Sequence, residues 1–278
     1  MRLYPELTYA RPGDRLLKRL AITWIEDVSG RRLLARLYGN WRSRVAAGDR
    51  LAFNAMLDVM RIRLDCRGKL PETASLPPHL VMVANHPFGI GDGIAMLALA
   101  ERLGRPYRIL VNNDLMKIPE MAAYGLPVSF EETRQAQAIN LATRREAMRL
   151  LSEGTTIVIF PAGGVATAPT VFGAADDLPW KQFTARLVQS SRAAVLPVHF
   201  CGQNGPLFHL VSRWSLTLRL GLLIGEFRRL YGRAITVTIG DMIFYEKIAA
   251  IDRRALTDWL REMVFGLASH DAVDLRAA

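Results

Sequence analysis

Cysteine is almost missing from this chain: among its 278 residues only Cys66 and Cys201 are cysteines. Two isolated cysteines make neither a disulfide framework nor a CxxC metal site, so a reducing, intracellular compartment is the expectation. Internal repeats and low-complexity tracts are lacking too, so the chain is not a repeat array. The first residues, MRLYPELTYARPGDR, have no apolar stretch of the kind a secretory leader needs, and none is expected. Charge is absent from three long stretches, residues 73–91, 154–175 and 193–212, which hold no Asp, Glu, Lys or Arg. Their length would permit a membrane span. Prolines and glycines interrupt each of them, as in Pro77-Pro78, Pro161-Ala162-Gly163-Gly164 and Pro197 through Pro206. They are expected as buried strands running into uncharged loops, and no transmembrane helix is expected.

What remains is the composition of a folded protein, half hydrophobic and 22% charged. The length suits one large domain, or one domain with an appendage. Net charge is +10 and unevenly spread: residues 1–70 carry fifteen Lys and Arg against seven Asp and Glu, so this quarter supplies +8 of it. Such a basic end points to a polyanionic surface, whether nucleic acid, anionic lipid headgroups or an acidic carrier protein. No RNP motif, zinc knuckle or helix-turn-helix accompanies the arginines, so nucleic acid is not an expected partner.

Helical spacing dominates the first 65 or so residues. Leu16, Leu20, Trp24 and Val28 share one face, Leu34, Tyr38, Trp41 and Val45 another. Phe53, Met56, Leu57, Met60 and Leu64 make a third stripe, with Asp49 placed to cap it. Arginines lie between the stripes, and Trp24, Tyr38 and Trp41 are rings of the kind favoured at a bilayer interface. Residues 1–70 therefore read as a basic amphipathic helical region that associates with a membrane surface. Beyond Pro71 the pattern changes to strands at Leu80–Ala84, Arg108–Asn112, Leu126–Phe130, Thr155–Phe160 and Ala194–Phe200. Two further β-rich runs cover Leu216–Leu222 and Ala234–Ile239, and helices are expected over Gly93–Leu103 and Ala136–Leu151. Alternation of this sort predicts the α/β class, with a mixed, mostly parallel sheet flanked by helices over residues 71–278. Ligands of such sheets bind just beyond the strand ends, where both Asn85-His86 and Pro161-Ala162-Gly163-Gly164 fall.

The stretch Val83-Ala84-Asn85-His86-Pro87-Phe88-Gly89-Ile90-Gly91-Asp92-Gly93 ends an apolar run on a histidine and returns through glycines to an aspartate. A neutral imidazole can take a proton from a hydroxyl, and a carboxylate on its other nitrogen fixes the tautomer. His86 and Asp92 are thus the candidate catalytic pair, with Gly89, Gly91 and Gly93 allowing the chain to turn back. The loop Phe160-Pro161-Ala162-Gly163-Gly164 offers backbone N–H groups suited to a phosphate or a developing oxyanion. A metal-dependent hydrolase built on Asn85, His86 and Asp92 is a further reading. The remaining histidines, His79, His199, His209 and His270, form no ligand spacing, so no metal is expected.

Three blocks in order, Asn85-His86-Pro87 through Asp92, then Ile159-Phe-Pro-Ala-Gly-Gly164, then Val195-Leu-Pro-Val-His199, resemble those of the lysophospholipid acyltransferase superfamily, which includes the glycerolipid acyltransferases. Phe200-Cys-Gly-Gln-Asn-Gly-Pro-Leu-Phe208 is similar to a bacterial branch labelled hemolysin-like, which includes lyso-ornithine-lipid acyltransferases. The resemblance covers roughly residues 78–245. It implies that His86, with Asp92 as partner, deprotonates an acceptor hydroxyl that attacks a fatty acyl thioester, carried by acyl carrier protein or coenzyme A, with no other cofactor. The acceptor would be a lysolipid, either lysophosphatidic acid or a lyso-ornithine-type lipid, bound with help from Asn85, Gly89, Phe160, Pro161, Gly163 and Gly164. The place implied is the cytoplasmic face of the inner membrane, as a peripheral protein; a catalytically inactive lipid-binding protein of the same fold is the alternative.

Two features depart from the superfamily's pattern. Five residues rather than four separate His86 from Asp92. In the block that usually reads Phe-Pro-Glu-Gly-Thr-Arg, Ala162 replaces the glutamate and Gly164-Val165 replace Thr-Arg, so the phosphate-binding charge is missing. That makes a zwitterionic or amino-acid-headed lysolipid competitive with a glycerol-phosphate one. Lys117, Arg134, Lys181 and Arg186 are the cations that could stand in.

Overall fold

The computed structural model describes residues 4–10, 13–212 and 216–277. Three helices come first, α1 (Leu16–Val28), α2 (Arg31–Ala46) and α3 (Ala52–Val59), followed by β1 (Arg63–Arg67) and β2 (Leu80–Ala84). Next come α4 (Ile90–Arg102), β3 (Tyr107–Asn112), β4 (Gly125–Val128), α5 (Arg134–Ser152), β5 (Thr156–Ile159), α6 (Phe183–Ser191) and β6 (Ala194–Phe200). The chain closes with α7 (Pro206–Ser212), α8 (Leu216–Arg229), β7 (Ala234–Ile239), α9 (Tyr245–Ile248) and α10 (Arg253–Ala277).

The strands form one seven-stranded sheet in the order β1-β7-β6-β2-β5-β3-β4. Neighbours are parallel except β6 and β7, so β1 and β7 run against the other five. The three uncharged stretches of the sequence contain the central strands β2, β5 and β6 with the segments that flank them, and the third runs on into α7. Every residue of these strands is buried, because both faces of the sheet are covered and no alternation with polar residues is needed. Along β2, Leu80, Met82 and Ala84 face a core shared with α2, α3 and α4. Val81 and Val83 face the opposite core, built with α5, α6 and α10. Among the described residues no helix is long and apolar enough to cross a membrane.

Several expectations need correction. The helical reading of the N-terminal quarter holds only to Val59. Arg61 takes a left-handed backbone conformation (φ 53°), after which Leu64 pairs with Ile235 in the edge strand β1. Asp49 is not the helix cap: it accepts from the Leu51 N–H and pairs with Arg44. The start of α3 is held instead by the buried Glu101 of α4, which accepts from the Phe53 and Asn54 backbone N–H groups, both at 2.9 Å. It also accepts from the Asn54 amide and the Tyr107 hydroxyl.

Leu216–Leu222, expected as a strand, is the first half of α8. Leucines at every second position imitate a strand, but Leu223, Ile224, Phe227 and Leu230 are buried at helical spacing. Gly221 and Gly225 lie one turn apart where α1 crosses. A side chain begun at Gly221 would meet Ile25 at 3.2 Å, and one at Gly225 would meet Ser29 at 3.2 Å.

The three amphipathic stripes also part company. Tyr38 and Trp41 are core residues, with the Trp41 indole donating to the Ala52 carbonyl at 2.6 Å, and the third stripe is likewise buried as far as Met60. Only the first is open: Leu16, Leu17, Leu20, Trp24 and Val28 of α1 are exposed, Trp24 by 67%. Helix α1 is anchored from its other side by Ile22 and by Glu26, which accepts from the Thr8 hydroxyl and the Tyr9 N–H, each at 2.7 Å.

Replacing Glu101 by Ala removes the acceptor from four donors at the α3–α4 contact. We expect a loss of about 2–4 kcal/mol, the sum of a helix cap and a buried charged acceptor. The shift in the chemical denaturation midpoint measures it, and a change under roughly 0.5 kcal/mol would show that water replaces the carboxylate.

Candidate active site

The carboxyl edge of the sheet carries the site, because β2 and β5 are neighbours and parallel there. Leaving β2, Asn85 is buried and turned toward β6: its amide donates to the Phe200 carbonyl at 3.0 Å and accepts the Phe200 N–H at 2.7 Å. This extends the β2/β6 pairing by side-chain bonds and fixes the direction in which His86 leaves the strand.

Four contacts then hold His86. Its backbone N–H donates to Asp177 at 3.0 Å and its carbonyl accepts from the Ala166 N–H at 2.8 Å. Its ring stacks on Phe160, centroids 4.2 Å apart, and its Nδ1 lies 2.9 Å from Oδ1 of Asp92. Neither of those two atoms has another partner, although the ring N–H is not aligned as an ideal bond. His86 keeps 17% side-chain exposure, while Asp92 is completely buried.

Asp92 gets back to the ring because it belongs to the first turn of α4. Gly89 precedes that helix with φ 80°, a conformation in which a side chain would strike Val165 and Leu223. From the third helical position the second carboxylate oxygen accepts the Phe88 N–H at 2.7 Å, and the helix N-terminus further favours its negative charge. The extra intervening residue between His86 and Asp92 is thus absorbed by the turn. The other two glycines do not serve it: Gly91 makes room for Leu230 of α8, and Gly93 faces open space.

The second loop packs beside the pair. Gly163, at φ 67°, closes a turn by donating to the Phe160 carbonyl at 3.0 Å, so that N–H is already engaged. The Pro161 carbonyl accepts the Lys181 N–H, and Gly164 lies against Leu178. Ala162, where the superfamily's glutamate would stand, is buried in the core with Trp180.

Of the candidate cations, only Lys181 reaches this loop. Lys117 bonds the Thr8 carbonyl instead, beside a separate cleft of about 820 Å³ under α1 that contains none of the motif residues. Arg134 and Arg186 are exposed on helices. His199 is buried, its ring in a T-shaped contact with Phe265. Among the described residues no group of three or more His, Cys, Asp or Glu converges as metal ligands would.

Two residues at the site were not legible as such. Asp177 is buried and holds the His86 N–H with one oxygen and the Trp180 indole N–H, at 2.9 Å, with the other. Asp176 and Asp177 are the only acidic residues between Glu153 and Glu226, a signal that could have found it. The second is Arg219 of α8, bonded to the Val165 carbonyl.

Electrostatics follow from this arrangement. Burial alone would depress the His86 pKa, but the Asp92 carboxylate 2.9 Å from the ring, with the charge of Asp177, raises it above the ordinary histidine value while Arg219 opposes them. Burial pushes the Asp177 carboxyl up, countered by its bonds to Trp180 and His86.

A buried histidine–carboxylate pair on the carboxyl edge of a mostly parallel sheet is an arrangement suited to taking a proton from a hydroxyl and returning it, on an α/β fold. A family model described as Acyltransferase matches residues 72–230, more than half of the chain. The chain belongs to that family, and the protein is an acyltransferase. Among curated proteins it is similar to a lyso-glycine lipid O-acyltransferase of Bacteroides thetaiotaomicron, 31% identical over 193 residues, covering 65% of this chain and 67% of the relative. A protein of the same name from Phocaeicola vulgatus is 27% identical over 197 residues, covering 65% of each. The match thus spans about two thirds of either relative's length. In fold the chain is similar to the crystal structure of the 1-acyl-sn-glycerophosphate (LPA) acyltransferase PlsC from Thermotoga maritima. The TM-score is 0.51, at 16% identity and over 92% of this chain and 96% of that one.

The electrostatic balance at His86 can be read by NMR. The imidazole of the wild type should titrate above the ordinary histidine value. In Asp92→Asn, where burial and Arg219 remain and the main opposing charge is gone, it should titrate below that value. In Asp177→Asn the fall should be smaller. An unchanged midpoint in Asp92→Asn would sever the two side chains electrostatically.

Proposed function

We propose that this acyltransferase is a lysolipid O-acyltransferase in which His86 is the general base. The observation that carries the reading is the 2.9 Å approach of His86 Nδ1 to a fully buried Asp92. With the proton kept on Nδ1 facing the carboxylate, the lone pair of the neutral ring is on Nε2, a tautomer assigned from these neighbours. Nε2 takes the proton of the acceptor hydroxyl as its oxygen attacks the thioester carbonyl carbon. The carbon–sulfur bond then breaks, and the departing thiolate takes the proton back from the imidazolium. The donor is an acyl thioester of acyl carrier protein or coenzyme A, both polyanions suited to a basic surface.

For the acceptor, the names of the two curated relatives favour an amino-acid-headed lysolipid over a glycerol-phosphate one. The uncharged loop from Pro161 to Val165 agrees. We further assign the exposed stripe of α1 to a lipid surface, at the cytoplasmic face of the inner membrane. Leu16, Leu17, Leu20, Trp24 and Val28 face outward together, with Lys18 and Arg19 also exposed on the same helix and Arg15 exposed just before it. Apolar residues on one face and basic residues beside them suit the interface of an anionic membrane.

His86→Ala should lose about 10²–10⁴ in rate and keep its circular dichroism spectrum. A radiolabelled transfer assay with both donors and a panel of lysolipids reads this, and wild-type turnover in the variant would remove His86 from the mechanism. Because the neutral ring is the active form, kcat/KM should rise with pH through the elevated His86 pKa.

Membrane docking has its own test. Leu17→Asp combined with Trp24→Ser should lower binding to anionic phospholipid vesicles by roughly tenfold or more, given about 1.5–3 kcal/mol per large apolar side chain buried. Co-sedimentation equal to the wild type would exclude α1 as the contact.

A further inference from the structure

The loop from Pro161 to Val165 has no charge of its own, yet two cations bracket it and neither has an acidic partner among the described residues. Arg219 is partly buried; its guanidinium donates to the Val165 carbonyl and lies over the Phe208 ring, 5.5 Å from the centroid. Val165 stands where the superfamily's block usually carries its own arginine, so a charge arriving from α8 occupies the neighbourhood of the missing one. Lys181 comes from the other side. Its Nζ is 4.2 Å from the centroid of Phe130, and 3.3 Å from where a side chain on Gly163 would begin. Gly163 therefore keeps the ammonium close to the turn, and any other residue there would push it away.

A cation partly withdrawn from water without a counter-ion is unfavourable, and burial accordingly depresses the Arg219 pKa. Lys181 is exposed, and its pKa is lowered by what desolvation the loop and Phe130 impose. A guanidinium has five N–H donors in a planar fork, and the Val165 carbonyl occupies only part of it. Val165, whose carbonyl Arg219 binds, precedes Ala166, whose N–H donates to the His86 carbonyl at 2.8 Å. The guanidinium thus lies one loop residue from a direct contact with His86, and its charge opposes protonation of the ring. An anion held here would sit beside the hydroxyl that His86 activates, so it belongs to the acceptor. The phosphate of a phosphopantetheine-borne thioester lies a whole pantetheine arm from the reacting carbon.

Resting on the acyl-transfer reading above, we propose that Arg219, with Lys181 across the loop, is the subsite for the anionic end of the acceptor headgroup. The group it holds is the carboxylate of an amino-acid-headed lysolipid. A glycine joined through its nitrogen ends in such a carboxylate, which matches the fork of Arg219 in two parallel hydrogen bonds. Arg219 is then a specificity-determining residue, and His86 remains the group that moves the proton.

The test is steady-state kinetics of the full chain with one fixed donor and three acceptors: lyso-glycine lipid, its methyl ester and lysophosphatidic acid. Arg219→Ala should raise KM for lyso-glycine lipid by roughly ten- to a hundredfold, the scale of a charge-assisted pair. It should leave KM for the neutral methyl ester within about twofold, and Arg219→Lys should recover part of the loss. Lys181→Ala should act in the same direction and more weakly. A parallel rise for lysophosphatidic acid widens the subsite to phosphate, and its absence confines it to carboxylate; both agree with the assignment. Equal changes for the acid and its ester, or a rise in donor KM instead, would overturn it. If the wild type acylates none of the three, the acyl-transfer reading fails and this inference with it. Circular dichroism checks folding, and should Arg219→Ala not fold, Arg219→Gln and Lys181→Ala carry the same comparison.

Discussion

A carboxylate buried without any exposure, as Asp92 is, has to be compensated on every side, and the means of doing so organise this site. The Phe88 N–H takes one oxygen, the His86 ring approaches the other, and the first turn of α4 supplies the positive end of a helix. Each of these requires the chain to reverse between β2 and α4 within a few residues, which Gly89 permits. The reversal in turn needs α4 pressed close to the sheet. Small residues on α4, Ala95, Ala98 and Ala100, are fully buried there. The packing of one helix and the environment of one histidine are thus a single problem with a single solution.

Helix α8 links that centre to the N-terminal helices. Leu223 and Leu230 close over Gly89 and Gly91 at the site, while Gly221 and Gly225 receive α1 on another face. The apolar stripe of α1 is therefore one helix away from His86. In the proposed reading a lysolipid has only a short path from the bilayer surface to the base, and the same α8 that ties the surface helix to the body also carries Arg219 into the site. Asp177 performs the corresponding task from the other side. Its two oxygens tie the backbone of His86 to Trp180, so the loop after β2 and the segment before α6 cannot move independently.

Much of the sheet was legible because its central strands are covered on both faces, which leaves uninterrupted apolar runs in the sequence. Ala194–Phe200 and Ala234–Ile239 match their strands residue for residue. The edge was not legible: Arg63-Leu-Asp-Cys-Arg67 is mostly exposed and has neither alternation nor an apolar run. The leucine alternation at Leu216–Leu222 pointed to a strand. Only the burial of Leu223 through Leu230 shows that the period is helical, and that burial depends on α4 and α1 being in place. Amphipathic stripes met the same limit, since spacing reveals a face but not what covers it. Tyr38 and Trp41 are buried against Tyr4 and Phe53 of the N-terminal segment and α3, whereas Trp24, in an equivalent pattern, is 67% exposed.

Sequence by itself determined the α/β class, the central strands, the His86 and Asp92 pair and the loop that begins at Phe160. Such features are written in short stretches, where neighbouring residues constrain one another through the backbone. Tertiary structure decided which stripe stays outside, which charge answers the uncharged loop, and which carboxylate holds the histidine in place. Asp177 is 91 residues from His86 along the chain, and Arg219 is farther still. Contacts of that kind depend on how whole elements pack, and no local pattern of residues records it.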